Sequence, residues 1–65
     1  MSDKEFVKTI YPDALAHRRS DKYYHIKIYD GGIRTPITFR CISEEQAWYN
    51  LAFWIKEDIK RKLLL

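Results

Sequence analysis

His17, His25 and Cys41 are the residues of this chain best suited to chemistry. Two imidazoles and a thiolate can hold zinc, and a Cys–His pair can serve as nucleophile and base. Either use requires the side chains to converge on one point. The chain has no Cys-x-x-Cys and no His-x-x-x-His spacing, and strand alternation sends Cys41 inward and His25 outward. Asp13 and Asp30 stand beside Pro12 and Gly31, where aspartate bonds its own turn backbone. The Gly31-Gly32 pair opens no helix and so makes no phosphate cradle. A chain of 65 residues also has little room for a concave substrate pocket. These residues predict a non-enzymatic protein with no cofactor, no metal and no small-molecule substrate.

Contact is the chemistry left. After Ser43 a helical repeat places Ala47, Trp48, Leu51, Ala52, Ile55 and Ile59 on one apolar stripe. Tyr49 and Phe53 fall outside it on a neighbouring face, and Trp54 lies off the opposite edge. Three things can cover this surplus. The N-terminal segment can fold back, laying Phe6, Val7, Ile10 and Tyr11 against Tyr49 and Phe53. A second copy can pair helix to helix in a two-fold homodimer. A foreign protein can use Tyr49, Phe53 and Trp54 as anchors, since Trp and Tyr are favoured at interfaces.

A second contact surface is expected on a strand. Tyr23–Tyr29 alternates with period two, placing Tyr24, Ile26 and Ile28 on one face and Tyr23, His25, Lys27 and Tyr29 on the other. Rings interleaved with cations, with Arg40 from the next strand, suit nucleic-acid binding. The same pattern also serves plain solubility and protection of a sheet edge. An acidic protein is the third partner it fits.

The elements that position these faces are legible. Asp3–Ile10 reads as a short helix or an irregular arm, closed by Tyr11-Pro12-Asp13. Ala14–Arg19 reads as a strand, Ser20-Asp21-Lys22 as a polar turn, and Asp30-Gly31-Gly32 as a tight hairpin. The return strand, Ile33–Ile42, should send Ile37, Phe39 and Cys41 to the core and Thr38 and Arg40 outward, with Pro36 marking an edge. Ser43 and Gln46 form a capping box for the last helix. The fold class is α+β: a three-stranded antiparallel meander packed against one long C-terminal helix.

Bulk properties set the limits. The chain makes one small domain, and folds of this size bury only about 60% of their unfolded surface. They lean on disulfides, metals or association. Cys41 has no intrachain mate, which leaves association and a reducing, cytoplasmic setting. No apolar run approaches the roughly 18 residues of a membrane span, and the start does not read as a signal peptide. The tail Leu63-Leu64-Leu65 follows Lys60-Arg61-Lys62, but the helix lacks the clean polar face of a membrane-surface helix. The net charge is +3. Residues 17–42 carry +4, from Arg18, Arg19, Lys22, Lys27, Arg34 and Arg40 against Asp21 and Asp30. The flanking segments carry −1 and zero.

Tyr11-Pro12-Asp13-Ala14, a hairpin, and a capped helix opening with Ala47-Trp48 resemble small proteins of tailed phages and prophages. That resemblance implies an accessory protein that inhibits a host or defence factor by stoichiometric contact. Inhibitors of this kind are sometimes acidic DNA mimics, a type from which this basic chain departs. An αβββα order would also resemble double-stranded RNA-binding domains. Here Glu44 and Glu45 stand where those domains carry a basic patch.

Overall fold

Two serines start the two helices. In the computed structural model, which describes residues 1–19 and 21–64, Ser2 Oγ accepts from the Glu5 N–H and Ser43 Oγ from the Gln46 N–H, each at 3.1 Å. From these caps run α1, Asp3–Ile10, and α2, Glu44–Leu63. Each satisfies a helix-end donor that would otherwise lack a partner. Gln46 Oε1 reaches back to the Ile42 N–H at 3.0 Å, one residue before the position a standard capping box uses. Acids in the first turn of α2 and bases in its last complement the helix dipole. α1 stops at Tyr11, the residue that Pro12 biases away from helix.

Between the helices lies a three-stranded antiparallel meander: β1, Leu15–Arg18; β2, Tyr24–Asp30; β3, Ile33–Pro36. Its strands lie in chain order, so β2 is central and β3 is an edge. Gly31 and Gly32 take φ of 61° and 85°, the double left-handed turn that a two-residue hairpin needs. Asp13 does not cap its own turn. Its Oδ2 accepts from the Tyr29 N–H at 2.6 Å and so ties the α1–β1 turn to the far end of β2. Ser20, part of the expected polar turn, and Leu65, the last residue of the tail, lie outside the described residues.

The return strand differs from expectation. Regular pairing stops at Pro36 rather than running to Ile42. The Ile37 N–H still bonds the Ile26 carbonyl, and Tyr24 and Cys41 pair again further on. Between those two points, Thr38, Phe39 and Arg40 stand opposite His25 alone. The insertion is two residues, an enlarged bulge. An even insertion preserves side-chain parity, so Cys41 still faces the core. Phe39, expected beneath the helix, is thrown outward and is 89% exposed.

Val7, Ala14, Ile26, Cys41, Ala47, Trp48, Leu51 and Ala52 form the core, with Phe6, Tyr11, Tyr24, Ile28, Ile37 and Ile55 leaning on it. This is the predicted stripe of α2 meeting the predicted inner face of β2. Each large side chain buried there contributes about 1.5–3 kcal/mol. α2 spans about 30 Å and outruns the sheet, so Ile59, the last residue of the stripe, stays 43% exposed. α1 packs beside α2. Among the described residues no helix is long and apolar enough to cross a membrane.

Candidate functional site

Two surfaces remain after the core is built. The first is the outer side of α2. α1 folds back as one of the expected coverings did, yet it buries Val7 against the stripe and leaves the surplus bare. Tyr49, Phe53 and Trp54 are 58%, 48% and 59% exposed. The Lys56 ammonium lies 5.0 Å from the Phe6 ring, so a cation of α2 covers Phe6. Phe53 and Trp54 meet edge to face, with centroids 6.0 Å apart. Beside Trp54 a shallow cleft of about 360 Å³ runs between α2 and the bulge, lined by Ile37, Phe39, Leu51 and Trp54 among others.

The second surface is the side of the sheet away from α2, which neither helix covers. Strand register puts Arg19 with Tyr23, His17 with His25, and Tyr29 with Arg34 on this side. The Arg34 guanidinium lies 4.7 Å from the Tyr29 ring centre and that of Arg40 lies 5.1 Å from Tyr23. Tyr23 and Tyr29 are exposed, as expected, and Lys27 is half-buried. Arg19 and Arg40 both reach the Asp21 carboxylate, at 3.4 and 3.5 Å. Burial works to raise the Asp21 pKa, but the Tyr23 N–H and the two guanidiniums outweigh it and hold the carboxyl below its usual range.

His25 corrects the sequence reading. It points to the outer side, as alternation requires, but is only 7% exposed. Its ring stacks on His17 at 5.3 Å, and the bulge residues Thr38, Phe39 and Arg40 line a hollow beside it. Nε2 is buried without a hydrogen-bond partner among the described residues. Loss of solvation lowers the His25 pKa from 6.5, and Lys27, His17 and Arg19 add to the effect while Asp21 opposes it. The unfolded chain therefore takes up a proton before the folded one does. The His25 contribution to stability should be full above pH 6.5 and fall as pH drops through the window below it. Urea midpoints at about pH 7.5 and about pH 5 should show this loss, and His25→Gln should remove that component.

Cys41 lies on the core face, opposite His25, with its thiol donating to the Phe39 carbonyl at 3.4 Å and accepting from Asn50 Nδ2 at 3.4 Å. Among the described residues no three His, Cys, Asp or Glu side chains gather as a metal site. Sequence reasoning missed Arg34 and Phe39 as members of these surfaces. Arg34 was recoverable, because a two-residue turn fixes it opposite Tyr29. Phe39 was not, because nothing local announces the bulge. The chain matches no family model, no curated protein and no solved structure.

Proposed function

We propose that this chain is a non-enzymatic binding protein that docks protein through the outer side of α2, acting as a two-fold dimer of its own kind. One observation carries the reading: three aromatic side chains of α2, two of them in edge-to-face contact, stay about half exposed although α1 has already folded onto the same helix. At about 200 Å² per ring they leave on the order of 300 Å² of apolar surface. That is enough for the centre of an interface of about 800 Å² per partner.

The charge pattern of α2 favours a second copy. Glu44 and Glu45 lie in its first turn and Lys60, Arg61 and Lys62 in its last. Phe53 sits at its midpoint. A two-fold axis beside Phe53 runs the two helices antiparallel, aligning each acidic end with the partner's basic end. Inhibition of a host factor, the role implied by the resemblance to phage proteins, would place that factor on the same side.

Light scattering after size exclusion tests the proposal. The parent chain should show twice the 7.9 kDa monomer mass, and Phe53→Glu should show 7.9 kDa with an unchanged circular dichroism spectrum. A parent mass of 7.9 kDa at all concentrations overturns the dimer. A Phe53→Glu chain that does not fold overturns the exposed-face reading itself.

A further inference from the structure

We propose that the outer side of the sheet binds single-stranded nucleic acid, with a phosphate seated between Arg19 and Arg40 beside His25 and a base stacked on Phe39. The bulge creates the seat. By inserting two residues opposite His25 it raises Phe39 and Arg40 around a hollow of about 480 Å³, with Arg19 on the other side. The nearly buried His25 lines that hollow, so a phosphate seated there would lie close to its ring.

Charge sets the class of ligand. Arg19, Lys27, Arg34 and Arg40 share this side with Asp21, whose two ion pairs are solvent-exposed and hold the guanidiniums only weakly. A phosphate can compete for them with bidentate geometry. The rings distinguish nucleic acid from an acidic protein. Carboxylates need only the cations, whereas Phe39 offers a bare aromatic face beside them. Arg34 and Arg40, already stacked on Tyr29 and Tyr23, present guanidinium planes on which further bases can lie. Stacking of this kind requires bases freed from a duplex, which favours a single strand.

His25 adds a signature. Burial opposes its protonation, as do Lys27, His17 and Arg19, while Asp21 favours it, and Arg40 adds a further positive charge at the hollow. A phosphate in the seat favours the protonated ring, so binding should tighten as pH falls.

The test is fluorescence anisotropy of a labelled oligothymidylate of about 12 nucleotides, a length suited to small single-strand sites. Binding should appear at about 20 mM salt and weaken with a log–log slope of about −2 to −3, as three or four phosphate contacts require. Phe39→Ala should weaken binding roughly tenfold or more, the contribution expected of a stacked base. Arg19→Glu with Arg40→Glu should abolish it. Phe39 and Arg40 are exposed, so circular dichroism should confirm that these variants fold. Three results overturn the proposal: no binding at low salt, equal or tighter binding of duplex DNA, or polyglutamate binding that matches the oligonucleotide and ignores Phe39→Ala. The last of these would assign the surface to an acidic protein.

Discussion

Trp48→Ala is expected to leave the chain largely unfolded at room temperature. Trp48 is buried between α1 and α2, with its indole N–H donating to Glu44 Oε1 at 3.2 Å and the Lys4 ammonium 5.8 Å from its ring centre. Truncating a buried Trp costs about 3–5 kcal/mol, from lost transfer energy and from the cavity left behind. Domains have about 0.05–0.15 kcal/mol of stability per residue, so 65 residues command about 3–10 kcal/mol, and so small a fold belongs near the lower end. The loss therefore rivals the whole. Thermal unfolding followed by circular dichroism should show the midpoint falling by at least about 15 °C, or no cooperative transition at all. A midpoint within about 5 °C of the parent would show that the indole is not a core member.

The helix that holds Trp48 was legible because its signals are local and agree. Ser43 with Gln46 announced the start, the acidic and basic ends matched the dipole, and the stripe from Ala47 to Ile55 matched the buried face. The hairpin was legible for the same reason, since two glycines at positive φ have few other uses. Phe39 and His25 were not legible. Period-two alternation assumes one residue opposite one, and the bulge places three opposite His25. No turn residue marks it, because Thr38 side-chain chemistry stabilises it from across the sheet: Thr38 Oγ1 accepts from the Ile26 N–H at 2.9 Å. The His25 burial follows from that same event and from stacking against a residue eight positions away. Both departures are consequences of strand pairing, which period alone does not encode. The exposure of Tyr49, Phe53 and Trp54 was legible as a surplus, though whether α1 would cover it depended on how α1 lay.

The orientation of α1 makes Val7 the second position of large effect. Val7→Asp is expected to abolish the folded state as a unit rather than release α1 alone. Val7 and Ile26 are the largest fully buried side chains of the described residues, and Val7 is the buried residue of α1. Among the described residues the core holds no Lys or Arg to pair with a carboxylate there, so it must either take a proton or reach water. Reaching water means lifting α1 from α2, which exposes Phe6 and uncovers part of Trp48 and its neighbours on the stripe. Two or three large side chains at about 1.5–3 kcal/mol each again approach the stability of the whole domain. What remains after α1 lifts is a helix on three short strands with an open core, and it should not persist. Amide hydrogen exchange tests this directly. Protection in β2 and in the middle of α2 should vanish together with that of α1. If β2 keeps its protection while α1 exchanges freely, α1 is a detachable arm. The stripe of Trp48, Ala52 and Ile55 would then be open to partners, and the docking side of α2 would have to be reassigned from Tyr49, Phe53 and Trp54 to that stripe.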